Sequence, residues 1–174
     1  MSPAGNTGMN ISKEITQALN DQISLEAGAS QYYLATAGWC EVSGYEGAAA
    51  YFYAQSDEER MHMLKIIKFL NSLGITAKVS AVPSPNIRHK SLEDALKASL
   101  KNEQAVTAAV HKALTLAHKK SDYSTFDLLE WFAAEQVQEE TKFEAILQKF
   151  DTIGRDGLAV AEIDRILASQ AGTC

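Results

Sequence analysis

Four long stretches of the chain place apolar residues three and four positions apart, the spacing that keeps one face of an α-helix buried. A shorter stretch with the same spacing follows near the end of the sequence. The predicted helices run from Ser12 to Cys40, from Glu46 to Leu73, from Ser91 to Lys120, from after Asp122 up to Gly154, and from Leu158 to Ala168. Ser12 and Ser91 are suitable N-caps, and Gly74 suits the left-handed position after a helix end. No stretch shows the alternation of a β-strand, so we predict an all-α fold.

Two connections predict how these helices are arranged. Ser43 and Gly44 form a turn so short that the second helix must run back antiparallel beside the first. Residues 75–90 contain Pro83 and Pro85 and are predicted to be extended. Such a segment can reach about 50 Å, more than the ~40 Å length of the second helix, so it can cross the whole bundle. We therefore predict a four-helix bundle whose long crossover leaves the second and third helices parallel, with a short fifth helix docked against it.

Each long helix interrupts its apolar stripe with polar residues close to its middle. The interrupting residues are Glu26 in the first helix, Glu59 and His62 in the second, Glu103 in the third, and Gln136 and Glu139 in the fourth. Because an α-helix rises about 1.5 Å per residue, these positions all lie near the mid-height of the bundle. Helices share that level whichever direction they run. The pattern predicts that four carboxylates, an imidazole and an amide converge in the core.

Four buried carboxylates need positive charge nearby, because taking a carboxylate out of water without a partner is costly. No lysine or arginine occupies an apolar stripe at this level, since Arg60 and Lys65 fall beside it. Glu59 and His62 lie three residues apart on one helix face and can reach a single ion together. Two divalent cations would balance the four charges, and oxygen-rich ligation with one imidazole favours iron or manganese over structural zinc.

Three further side chains lie next to this level. Tyr33 follows Glu26 by two turns on the same face, so it can hydrogen-bond a metal ligand, supply an electron, or simply pack in the core. Glu58 and Glu135 each sit one position from a stripe residue. They either form an additional cation site or face solvent.

Composition limits the class of protein. With 174 residues, 46% hydrophobic and 22% charged, the chain suits one globular domain, predicted over 11–170 with tails at 1–10 and 171–174. The net charge of -6, without a lysine and arginine cluster, argues against nucleic acid as a partner. Two cysteines exclude a disulfide scaffold and favour a reducing compartment, so we expect a cytoplasmic protein. No apolar stretch approaches the ~20 residues needed to span a membrane.

At these positions the sequence resembles the ferritins, specifically the non-haem ferritins of bacteria and some algae. The likeness extends from about Ile11 to Leu167 and is specific, because the order and spacing of several segments agree. These segments are 24–26 with Tyr33 and 39–40, then 45–50, 58–63, 102–104 and 126–143. The resemblance implies a ferritin-like bundle with an intact ferroxidase centre that binds two iron ions per subunit.

The resemblance also implies a role for each polar residue. It assigns one iron to Glu26, Glu59 and His62, and the neighbouring iron to Glu59, Glu103 and Glu139, with Glu59 bridging the two. Gln136 and Tyr33 fall beside these ligands. A third iron site is implied for Glu58, Glu135 and Glu139, and it is weakened here because Gln138 replaces the fourth carboxylate of the family pattern.

Haem-binding relatives carry a second Glu-x-x-His pair and a methionine that ligates haem. This chain has Gln136 and Glu139 in place of that pair and Arg60 at the methionine position, so no haem is expected.

By this resemblance the chain is expected to oxidise Fe(II) with O2 or peroxide and to store the mineral in a shell of twenty-four identical subunits. One alternative is a di-iron peroxidase or oxidase of the rubrerythrin type, which does not store iron. Others are a chain that sequesters metal without oxidising it and a plain helical interaction bundle. The last would not need carboxylates in four stripes.

Overall fold

The computed structural model describes residues 11–172 and contains five α-helices in that range. They are α1 (Lys13–Val42), α2 (Glu46–Ser72), α3 (Leu92–Lys119), α4 (Tyr123–Thr152) and α5 (Gly157–Gln170). Within the described range there is no β-strand, and none of the helices combines the length and the hydropathy of a membrane span. The predicted all-α class is confirmed, and the helix ends differ from prediction by about two residues, an ordinary uncertainty at helix termini. The predicted tail over 1–10 and the last two residues of the tail over 171–174 lie outside the described range.

Side-chain caps fix where the helices begin. The Ser12 hydroxyl accepts a hydrogen bond from the Ile15 N–H at 3.3 Å, and the Ser91 hydroxyl accepts one from the Asp94 N–H at 3.1 Å. Both predicted N-caps are therefore confirmed. The Asp94 carboxylate in turn accepts the Lys90 N–H at 3.0 Å. The second helix ends before Gly74, whose φ of 75° is one that other residues rarely adopt.

The buried apolar residues form two clusters. The first cluster contains Tyr33, Ala37 and Cys40 of α1, Ala48 and Phe52 of α2, Leu92 and Leu96 of α3, Phe143, Ile146 and Phe150 of α4, and Ile163 and Leu167 of α5. The second cluster contains Ile15, Leu19 and Ile23 of α1, Ile66 and Leu70 of α2, Val106, Val110 and Ala117 of α3, and Leu129 and Phe132 of α4. Every long helix contributes to both, so the clusters fill opposite halves of the bundle.

The order in which each helix meets the clusters gives its direction. Helices α2 and α3 pass from the first cluster to the second, whereas α1 and α4 pass from the second to the first. Because α2 and α3 run the same way, the irregular segment between them must cross the length of the bundle. The predicted crossover is thus confirmed. The six buried polar residues that interrupt the predicted stripes lie between the two clusters.

Helix α5 docks on the start of α2. The Asp164 carboxylate accepts hydrogen bonds from the Gly47 N–H at 3.0 Å and the Ala48 N–H at 2.7 Å. These are free N–H groups at a helix N-terminus, where a negative charge is also favourable. The approach is so close that a Cβ at Gly47 would lie 2.0 Å from the Asp164 carbonyl oxygen. Glycine is therefore required where the two helices meet.

Candidate metal centre

All six polar residues that interrupt the predicted stripes are buried at one level of the bundle. Their exposed fractions are 0% for Glu26, 2% for Glu59, 4% for His62, 1% for Glu103, 1% for Gln136 and 0% for Glu139. Each lies on its helix between the residues that enter the first cluster and those that enter the second. Helical periodicity and the shared height therefore bring the predicted set into one region of the core.

Glu26, Glu59 and His62 form the tightest group. Each offers one ligand atom, and these atoms lie within 4.8 Å of one another. His62 Nδ1 is 3.4 Å from Glu59 Oε2 and 4.0 Å from Glu26 Oε2. Within the described part of the chain, His62 Nδ1 and Glu26 Oε2 are buried and make no hydrogen bond. Buried polar atoms are rarely left without a partner, so a convergent pair of them fits a bound cation.

Glu103 is held from two sides. The Tyr33 hydroxyl donates a hydrogen bond to Glu103 Oε1, and Gln136 Nε2 donates to Glu103 Oε2 at 3.0 Å. Gln136 Nε2 also lies 3.2 Å from the Glu103 carbonyl oxygen. These donors fix the carboxylate in one orientation. The structure thus places both residues predicted to lie beside the ligands in contact with Glu103.

Glu139 completes the acidic set from α4. Its Oε2 is buried and has no hydrogen-bond partner among residues 11–172. The charges of Glu103 and Glu139 both raise the pKa of Glu59, and Glu59 also lies beside Glu26. Glu59 of α2 therefore interacts electrostatically with acidic side chains from all three of the other long helices.

The acidic groups have strongly perturbed protonation. Burial, followed by the charge of Glu103, raises the pKa of Glu59 from 4.5 to about 8. Burial is also the largest cause of the raised pKa of Glu139, which is about 7. It likewise raises the pKa values of Glu26 and Glu103. Without a cation, the carboxyl groups of the centre consequently retain protons near neutral pH. A metal ion that binds their oxygens must displace these protons.

Aromatic rings surround the centre and fix its side chains. The His62 ring meets Trp131 and Phe132 edge to face, with centroids 5.5 and 5.8 Å apart. The Tyr33 ring lies nearly parallel to the rings of Phe52 and Phe143, with centroids 5.8 and 6.1 Å away. These contacts hold the imidazole and the phenol in place, and they exclude water from the region that contains the carboxylates.

Of the residues predicted for a third cation site, Glu58 and Glu135 lie close together, and Glu139 is not part of their group. Glu58 and Glu135 are half-buried, and each offers an oxygen within 4.8 Å of the other and of a His62 nitrogen. Gln55 Nε2 donates a hydrogen bond to Glu58 Oε2 at 2.8 Å. Gln138 is exposed.

Two polar contacts of the centre escaped the sequence analysis. The Lys142 ammonium lies 2.7 Å from Glu139 Oε1 and 3.6 Å from Glu58 Oε2, although Lys142 lies off the buried stripe. Gln22 Nε2 donates a hydrogen bond to Glu26 Oε1 at 2.6 Å. Both contacts have sequence signals, since Lys142 follows Glu139 by three residues and Gln22 precedes Glu26 by four. Lys142 itself lies outside the buried stripe of α4, so the stripe pattern does not predict it as part of the centre.

Comparison with known proteins shows similarity along most of the chain. A family model described as a ferritin-like domain matches residues 16–153. The chain is 37% identical to a bacterial non-heme ferritin of Staphylococcus aureus over 160 residues, which is 92% of this chain and 96% of that protein. It is 35% identical to a bacterial non-heme ferritin of Staphylococcus haemolyticus over 161 residues, covering 92% of this chain and 97% of that protein.

Among solved structures, an open pore ferritin from Archaeoglobus fulgidus superposes with a TM-score of 0.88. Its sequence is 31% identical to this one, and the match covers 91% of this chain and 98% of that chain.

Proposed function

The chain belongs to the ferritin family, whose members store iron, and from that premise we propose that it oxidises Fe(II) to Fe(III) at the buried centre described above. Iron is both the substrate and the stored product. In this proposal Glu26, Glu59 and His62 bind one ferrous ion, and Glu59, Glu103 and Glu139 bind the other. Glu59 bridges the pair.

The convergence of buried carboxyl groups carries this proposal. Four carboxylates from four helices meet at one level, and ligand atoms of Glu26, His62 and Glu139 lack hydrogen-bond partners within the described range. Two divalent cations would neutralise the four charges and use those atoms. The donor set of oxygens with one imidazole suits iron. Tyr33 and Gln136 do not need to bind iron, because their hydrogen bonds hold Glu103 in its binding orientation.

Binding two ferrous ions side by side supplies two electrons at one place. Each Fe(II) gives up one electron, and the two electrons with two protons reduce O2 to hydrogen peroxide. Alternatively, they reduce hydrogen peroxide to two molecules of water. Either oxidant is consistent with the centre. The protein contributes proximity and charge neutralisation, which are the usual benefits of a paired metal site.

Storage is the second part of the proposal. We infer that the oxidised iron is deposited as mineral inside a shell of twenty-four copies of this chain. Proteins named as ferritins match this chain along nearly their whole length, which supports this inference. On the same family premise we propose a cytoplasmic location.

The test combines oxidation kinetics with an iron count. Aerobic addition of Fe(II) to the wild type should give rapid Fe(III) absorbance, and His62→Ala should remove the fast phase. The exposed Glu144 of α4 provides the control Glu144→Gln, which should behave as the wild type. Equal rates in wild type and His62→Ala would disprove the assignment of the centre.

Iron per assembly then separates storage from catalysis. A loaded count far above two ions per chain is expected for a mineral store. A count that stops at about two per chain, with fast oxidation retained, would instead indicate a dedicated di-iron oxidase. Gel filtration at the size of a monomer or dimer would exclude the shell.

A further inference from the structure

Lys142 joins the metal centre to a neighbouring carboxylate. Its ammonium lies 2.7 Å from Glu139 Oε1 on the same helix and 3.6 Å from Glu58 Oε2 on α2. The two carboxylates differ in environment, because the side chain of Glu139 is 1% exposed and that of Glu58 is 17% exposed. Lys142 itself is 31% exposed. Its long side chain therefore carries a positive charge from the partly exposed side of α4 to a buried carboxylate.

The Lys142 ammonium occupies a place that would also suit a metal ion. Glu58 and Glu139 converge on it from two helices, as they would converge on a metal ion. Glu135 adds a third carboxylate beside Glu58, because one of its oxygens lies within 4.8 Å of a Glu58 oxygen. A lysine ammonium is a compact point charge with three donors, so it can satisfy two carboxylates at once. The positive charge between Glu58 and Glu139 is thus already supplied by a side chain of the protein itself.

A divalent ion and this ammonium cannot occupy the same place. Both need Glu139 Oε1 and Glu58 Oε2, and their positive charges would repel each other strongly where the surroundings are largely buried. Lys142 leaves Glu139 Oε2 without a hydrogen-bond partner within residues 11–172. That oxygen can therefore still bind a metal ion of the centre. Lys142 accordingly occupies Oε1 of Glu139 and leaves Oε2 accessible.

We propose that Lys142 is a specificity-determining residue that limits the chain to two metal ions, by holding its ammonium where Glu58 and Glu139 would otherwise share a third. This inference rests on the proposed two-ion centre. It assigns to Lys142 a function that a purely structural ion pair would not have. A structural pair affects stability, whereas this one also sets the number of ions bound.

Counting a redox-inert cation tests the proposal without relying on oxidation activity. Zn²⁺ binding to metal-free wild type and to Lys142→Met would be measured by equilibrium dialysis with elemental analysis and by calorimetry. Methionine keeps most of the side-chain length and removes the charge. We expect Lys142→Met to bind one more Zn²⁺ per chain than the wild type, at least tenfold more tightly than any additional ion binds to the wild type.

Three variants make the result specific. Lys142→Arg keeps the positive charge and should match the wild type, as should Lys149→Met, which removes an exposed lysine from the same helix. In the double variant Lys142→Met with Glu58→Gln, the additional ion should be lost. Lys142→Gln provides a second uncharged variant, in case the methionine variant does not fold.

The inference depends on the difference between variant and wild type, whereas the proposed function depends on the wild-type count. A wild type that binds no Zn²⁺ at the centre, with no change in His62→Ala, would refute the proposed function. Equal counts in wild type, Lys142→Met and Lys142→Gln would overturn the inference and leave the two-ion centre intact. An additional ion that persists when Glu58 is also replaced would overturn it as well.

Discussion

Replacing Glu59 by glutamine removes one of the four buried carboxyl groups of the centre. In the folded, metal-free protein, burial and the charge of Glu103 raise the pKa of Glu59 from 4.5 to about 8. The unfolded chain releases the same proton near the ordinary value. Between these two values the folded state binds more protons than the unfolded state, so the stability of the metal-free protein must fall as the pH rises.

The size of this effect follows from the shift. A retained proton changes the free energy of unfolding by about 1.4 kcal/mol per pH unit, which gives about 3 kcal/mol between pH 6 and pH 9 for Glu59. For a chain of this length, that corresponds to a decrease in Tm of roughly 6 to 12 °C. Glu139, with its pKa raised to about 7, adds a smaller change of the same sign. Glutamine at position 59 should remove the larger part.

Thermal denaturation of chelator-treated protein at pH 6, 7.5 and 9 provides the measurement. We expect the Tm of the wild type to fall across this range and the Tm of Glu59→Gln to fall much less, so that the variant is the more stable protein at pH 9. Glu144→Gln, which changes an exposed glutamate, should follow the wild type. A metal-free wild type whose Tm is independent of pH would refute the reasoning, as would a variant that falls just as steeply.

The same substitution should reverse its effect when a cation is present. Binding to the folded state raises stability in proportion to the logarithm of ligand concentration over Kd. Zn²⁺ should therefore raise the Tm of the wild type strongly and that of Glu59→Gln weakly. The carboxylate that destabilises the metal-free protein at high pH is the one that binds the ion.

Three further predictions concern the surroundings of the centre. Tyr33→Phe removes one of the two side-chain donors to Glu103, a hydrogen bond worth about 1.5 to 3 kcal/mol, and should slow Fe(II) oxidation in stopped-flow measurements about tenfold or more without changing helical content. Gly47→Ala places a Cβ against the Asp164 backbone and should lower the free energy of unfolding by about 1 to 3 kcal/mol in urea titrations, with an unchanged Zn²⁺ count. Asp164→Ala leaves the N–H groups at the start of α2 without their cap and should cost about 1 to 2 kcal/mol in the same titration. Full wild-type stability in either of the last two variants would show that α5 does not depend on these contacts.

Patterns along the chain were enough to predict the number of helices, their approximate ends and the level at which the polar residues meet. These properties follow from patterns that repeat along the chain. Apolar spacing identifies the buried face, Ser12 and Ser91 identify helix starts, and a constant rise per residue places Glu26 and Glu103 at a common height. A regular helix needs no further information to fix such positions.

The tertiary structure alone decided which atoms meet. Periodicity gives the face and height of Tyr33, but only the packing of α1 against α3 makes Glu103 its acceptor. Lys142 lies off the stripe and enters the centre because its side chain is long and flexible, a reach that spacing does not reveal. Asp164 and Gly47 are separated by most of the chain, so their contact depends on where α5 returns. Contacts between elements depend on helix rotation and side-chain rotamers, which no local pattern in the sequence specifies.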